Sequence, residues 1–342
     1  MRHAPSMYGQ ETLAAAVPRL NRRDLLFRTW LTIGLLAALL PAVGPGPALL
    51  AGLIGALVLN RSLPATLKKQ AKRLLQLGVI SLGFSLNLGE VFAVGLPSML
   101  VAAVTISGTF LLAQAAARLL KVEANTAMLI AAGTAICGGS AIAAVGTAIR
   151  AKEAPIAVAM GTVFLLNAAS LLLFPLIGNT LQLQPEVYGQ WVGFAIHDVS
   201  SVVGAADVMG PDALQTATTV KLARTLWIIP VTFAILAFRH HWADRKNVGA
   251  CDDAKQTPAP RPAVPWFIVG FLAASALTTV SPTVHHVAPF AVTGAKALLA
   301  ASLFLIGASI GRSTLRQAGP RPILLGCLLW FAVATVGFVW LQ

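Results

Sequence analysis

An all-α membrane protein of about eleven transmembrane helices is the fold this sequence predicts, and three observations predict it. Of 342 residues, 57% are hydrophobic and 11% charged, against about 25% charged in a soluble globular domain. Mean hydropathy is +0.78, and the apolar residues gather in runs near the roughly 20 residues a helix needs to cross a hydrocarbon core. The 29 glycines and 20 prolines point the same way, because both are commoner in membrane helices than in soluble ones. Together these exclude a water-soluble enzyme, a disordered regulator and a fibrous repeat.

Read by length and hydropathy, the spans fall near 28–43, 47–60, 72–89, 97–118, 124–149, 154–177, 187–207, 213–238, 265–280, 289–311 and 321–341. The second is short, and the fifth and seventh are interrupted. The chain then divides into a cytoplasmic N-terminal segment (1–27), spans one to eight (28–238), a polar, proline-rich cytoplasmic linker (239–264) and spans nine to eleven (265–342).

Lysine and arginine set the orientation. With the N-terminus inside, twenty bases lie in cytoplasmic segments and two, Arg150 and Lys152, lie outside, while Lys221, Arg224 and Lys296 fall within spans. That asymmetry satisfies the positive-inside rule and places the C-terminus outside. One pair of segments resists it: 150–153 is basic yet external, and 178–186 has no base yet is internal. Re-entry of the fifth and seventh spans would exchange the two and leave every other helix unchanged. Each span is long enough to cross, so crossing is the expectation.

The net charge of +13 is not a nucleic-acid footprint, because the bases cluster in short segments between apolar runs. Cys137 and Cys327 lie in apolar runs and Cys251 in a polar loop, so no disulfide framework is implied. Asn21-Arg22-Arg23-Asp24 resembles a twin-arginine signal but reads better as a basic anchor, since no cleavage site follows and more spans do. His240, His241 and Cys251 match no metal-site spacing, so neither metal nor cofactor is expected.

The fifth span carries Cys137-Gly138-Gly139-Ser140 at its centre. Two adjacent glycines at membrane depth weaken a helix and free backbone amides, which need protein, water or a ligand. A half-helix starting near Gly139 would present unpaired N–H groups and partial positive charge to an anion. Close packing through small residues explains the glycines equally well.

In the seventh span, His197-Asp198 is followed by Ser200 and Ser201. Ionisable residues in a span cost at least ~3 kcal/mol on translocon scales and so suggest function. His197 can exchange protons near neutral pH and Asp198 can hold a proton or pair with a base. In a continuous helix, His197 and Ser201 would share a face. Lys221 and Arg224 in the eighth span also share a face. Two bases in apolar surroundings need a counter-ion, for which Asp198, Asp207 and a bound oxyanion are the candidates. Lys296 is close enough to a span end to snorkel, and Asn167 in the sixth span is a further candidate beside Ser201.

The stretches AICGGSAIAAVGTAIRAKE (135–153), AIHDVSSVVGAA (195–206) and VKLARTLWIIP (220–230) together resemble the bacterial sulfate exporter family. The resemblance runs from GVISLGFSLNL (78–88) to the last span. It implies a multi-pass inner-membrane protein of the cation/proton antiporter and anion transporter superfamily, built from two inverted five-helix repeats whose interrupted helices cross at mid-membrane. Spans two to six and seven to eleven would be those repeats. Cys137 to Ser140, His197, Asp198, Lys221 and Arg224 match positions characteristic of the family. Asp198 stands where Glu is common and Ser201 where Gln is frequent.

Secondary transport of a small, sulfate-like oxyanion is therefore the expected function. Cys137, Gly138, Gly139, Ser140, Lys221 and Arg224 would bind it, and His197 and Asp198 would couple it to protons. Cation/proton exchange through Asp198 is the alternative, disfavoured by the excess of buried bases. An intramembrane enzyme using Cys137 or Ser140 with His197 fits less well. No GxxxxGK[ST] motif occurs. The expected partners are the bilayer, the anion and, as a homodimer, a second copy of the chain.

Overall fold

The computed structural model describes residues 22–40, 43–60, 63–245, 266–281, 284, 288–309 and 319–341. They form helices and short connections. α1 is Arg22–Ala38, α2 Pro45–Leu59, α3 Ala65–Leu82, α4 Leu88–Leu120, α5 Ala124–Ala135, α6 Gly139–Ala148 and α7 Glu153–Thr180. α8 is Pro185–Ala195, α9 Val199–Ala206, α10 Pro211–Thr225, α11 Ile228–Arg245, α12 Trp266–Val280, α13 Ala288–Ser309 and α14 Pro320–Trp340. α4, α7, α10 with the start of α11, α13 and α14 are long and apolar enough to cross a membrane. This is an all-α membrane protein.

Helix ends follow local chemistry. Proline opens α2, α8, α10 and α14, where its missing N–H is not needed. The Asn87 side chain caps α4 by accepting the Gly89 amide at 2.8 Å, and Lys121 ends that helix in the left-handed region. Two boundaries differ from the hydropathy reading. α3 begins at Ala65 rather than 72, because Lys68, Lys69, Lys72 and Arg73 are good helix formers and are exposed on its first turns. α11 continues to Arg245, past the expected start of the linker at 239, whose remainder (246–264) lies outside the described residues. Residues 1–21 and Cys251 also lie outside them.

The helices fall into two packed groups. α1, α2, α3, α12 and α13 form one, with α2 and α13 so close that a Cβ on Gly52 would stand 2.1 Å from the Phe304 carbonyl oxygen. α4 to α11 and α14 form the other, and α9 joins the two through α2 and α13.

The fifth and seventh segments do not cross as expected. A Cβ on Gly133 would lie 2.9 Å from the Ile142 side chain, and one on Gly146 would lie 3.5 Å from Leu129. A straight helix would separate these pairs by about 13 and 25 Å. α5 and α6 are instead antiparallel arms of a hairpin, turned at Cys137 and Gly138. α8 and α9 form a second hairpin: the Tyr188 hydroxyl donates to the Ala205 carbonyl at 3.0 Å, across the turn at 196–198. The arms explain why: α5 has 12 residues and α6 has 10, so each reaches about half of a roughly 30 Å hydrocarbon core. The two ends of each hairpin therefore lie on the same side of its tip. The break at 196–198 also removes the helix face that His197 and Ser201 were expected to share. The proposed repeats, two to six and seven to eleven, put these two breaks at non-equivalent positions.

Candidate functional site

The hairpin tips meet. Gly138 has φ +67° and ψ −129°, open to glycine, and a Cβ there would lie 3.0 Å from the Asp198 Cβ. Its amide donates to the Gly133 carbonyl at 2.8 Å, closing the turn after α5. α6 then starts at Gly139 with no side-chain cap, leaving its first amides without a helical acceptor. At the other tip Asp198 caps α9: its carboxylate accepts the Ser201 amide at 3.3 Å and the Ser200 hydroxyl.

α10 lies across both tips. Arg224 Nε donates to the Ala135 carbonyl at 2.5 Å and its Nη1 to the Phe194 carbonyl. Lys221 Nζ donates to the Ile196 carbonyl. Both side chains are fully buried. These carbonyls end the first arm of each hairpin, where the helix dipole is negative and acceptors lack intrahelical donors. The paired bases thus stitch the hairpins together, and the second guanidinium nitrogen of Arg224, Nη2, has no hydrogen-bond partner among the described residues.

The expected site residues are largely, but not all, brought together. His197 is fully buried, within electrostatic reach of Lys221 and Arg224, and neither ring nitrogen has a partner among the described residues. Cys137 is buried beside Lys221, Asp198 and Thr225. Ser201 joins through its backbone amide, and buried Asn167 has both amide atoms unpartnered. Ser140, just past the first tip, is exposed, whereas Lys221 and Arg224 are buried. Asp207 is not their counter-ion: it pairs with Lys296 at 3.2 Å, so Lys296 has an ion-pair partner as well as a route to the surface. No metal-ligating cluster occurs among the described residues.

Two residues escaped the sequence reading. The Trp330 ring lies 6.2 Å from that of His197, with its Nε1 buried and unpartnered, and the Thr134 hydroxyl is likewise orphaned. A tryptophan in mid-span, away from the interfacial belt where the residue usually sits, was a usable signal. Thr134 gave none, since a helical threonine ordinarily satisfies itself on the preceding turn. The cleft between α4, α10 and α12 (Val91, Gly95, Leu222 and Phe271) is apolar and separate from this centre.

Comparison with known proteins places the chain. A family model described as Conserved hypothetical protein 698 matches residues 28–326. A UPF0324 membrane protein of Bdellovibrio bacteriovorus is 45% identical over 303 residues, covering 89% of this chain and 90% of its own. Another from Geobacter sulfurreducens is 41% identical, covering 93% and 97%, and one from Vibrio vulnificus 41%, covering 94% and 99%. No solved structure matches. The all-helical architecture, the match across both hairpins and the full-length relatives agree: the chain belongs to the Conserved hypothetical protein 698 family of UPF0324 membrane proteins.

Proposed function

We propose that this protein is a secondary transporter of a small oxyanion, residing in the bacterial inner membrane with nine crossing helices and two re-entrant hairpins. In that arrangement every base between spans, Arg150 and Lys152 included, lies on the cytoplasmic side. The observation that carries the reading is the buried excess of positive charge where the tips meet. Beside these two bases one carboxylate, Asp198, lies within electrostatic reach of Lys221, and it is itself occupied in capping α9. Buried charge persists only with partners, and an anion completes the set together with amides at the start of α6. The same excess weighs against cation exchange. An intramembrane enzyme is less well supported, because among the described residues neither nitrogen of His197 is bonded to a nucleophile. The sequence resemblance suggests a sulfate-like oxyanion and an outward direction, with His197 and Asp198 carrying protons.

Anion-dependent flux of the purified chain in proteoliposomes, from pH 5 to 8, tests this. Flux is expected to require an oxyanion, and His197→Gln is expected to flatten its pH dependence. Cation-driven proton movement without any anion requirement would sink the oxyanion reading. An unchanged pH profile in His197→Gln would remove the histidine from proton coupling.

A further inference from the structure

Asn167 stands on α7 at the height of the second hairpin tip, one to two turns beyond the residues that meet Gly139. α7 runs antiparallel to α8, with Gly178 against Tyr188 and the rings of Phe174 and Trp191 4.5 Å apart. Carried inward along the helices, that register sets Asn167 level with His197 and Asp198. Met160 and Phe164, on the same face of α7, lie against Gly139: a Cβ there would be 3.2 Å from the Met160 sulfur and 3.7 Å from the Phe164 ring. One turn beyond Asn167, Leu171 touches Gly204 of α9. Asn167 thus sits on a stripe between the start of α6 and the body of α9. It is 4% exposed, and neither amide atom has a partner among the described residues. Exchanging the two atoms by a flip changes nothing.

A site made for a bare anion needs only donors. This one also holds a buried acceptor with no partner among the described residues, the Asn167 amide oxygen. Its charge is also modest, since Lys221, Arg224 and Asp198 in their ionised forms leave a single positive excess. Resting on the transporter reading above, we propose that the site takes a singly charged oxyanion bearing a hydroxyl group, and that Asn167 is the residue that reads the hydroxyl. The amide oxygen accepts the substrate O–H, while the amide nitrogen and the free Arg224 nitrogen donate to the bare oxygens. A divalent ion with no hydroxyl would leave the amide oxygen unpaired and reverse the sign of the site's charge.

Four probes separate the possibilities in proteoliposomes of the full chain: sulfate (divalent, no hydroxyl), nitrate (univalent, no hydroxyl), dihydrogen phosphate at pH 6 and hydrogen carbonate at pH 8 (univalent, with hydroxyl). The last two are expected to be carried at least about tenfold better than the first two, as one lost hydrogen bond in a dry site implies. Asn167→Leu should erase that preference while unfolding no earlier than the parent, and Asn167→Ala should erase it in a smaller side chain should the leucine fail to fold. Preferred transport of sulfate, or an equal loss for every anion in both variants, overturns this assignment and leaves oxyanion transport standing. Flux of none of the four overturns both.

Discussion

Gly138 and Asp198 touch across sixty residues of sequence, with room for no side chain on the glycine: a Cβ there would stand 3.0 Å from the Asp198 Cβ. Contact and conformation reinforce each other, because φ +67° is a region that residues with a Cβ rarely adopt. Gly138→Ala is therefore expected to cost roughly 1–3 kcal/mol and most of the transport, as the tips separate. Gly139→Ala should be far milder: its new methyl meets the end of Met160, a flexible side chain, at 3.2 Å. Thermal unfolding and flux of the two variants decide it. Equal behaviour would mean the tips tolerate separation.

Hairpins dictate sidedness. A cysteine replacing Lys152 should react with an impermeant maleimide from the same side as one replacing Lys68, and a cysteine replacing Gln182 from the opposite side. All three positions are exposed, so labelling is not limited by burial. Labelling of positions 152 and 68 from opposite sides would restore crossing helices.

Arg224 bridges two carbonyls, Ala135 and Phe194, with two nitrogens of one rigid fork. Arg224→Lys preserves the charge and loses the fork. It should leave one carbonyl unpaired, costing about 1–3 kcal/mol, and should lower flux more than tenfold. The unfolding midpoint and flux are read together, and parental values in both would show that the bridge is dispensable.

The Lys296–Asp207 pair lies near the surface, with side chains 41% and 15% exposed. Lys296→Met is expected to change stability by only about 0.2–1 kcal/mol, and the difference should shrink as salt rises. A larger, salt-independent loss, measured by unfolding in low and high salt, would assign the pair a buried role.

Much of this organisation was legible beforehand, for identifiable reasons. Each apolar run became helix, because length and hydropathy act locally. The break beside Gly138 was readable from two glycines at membrane depth, and the bases at 221 and 224 from their cost. What local chemistry could not show was the direction of the chain after each break. A run of 25 residues from 124 to 148 looks long enough to cross, and the approaches of Gly133 to Ile142 and of Gly146 to Leu129 reveal that it doubles back. The clue was electrostatic: Arg150 and Lys152 stood on the wrong side of a crossing topology. Likewise, the bases were expected to meet a carboxylate or a bound oxyanion, whereas their nearest partners are backbone carbonyls, which carry no residue-specific signature. Asp207 seemed available to them until its pairing with Lys296 was seen.

The stitching of the tips by α10 also constrains how the chain is made. Ala135 emerges from the ribosome 89 residues ahead of Arg224, and Phe194 30 residues ahead. Until α10 is synthesised, the carbonyls ending α5 and α8 have no donor and are poorly suited to the bilayer interior. A nascent chain ending near Gly210 should hold its hairpins shallow and protease-sensitive, and extension through Thr225 should draw both tips inward in one late step. On that expectation the meeting of the two tips is the last step in forming this centre, because both wait for the same side chain of α10.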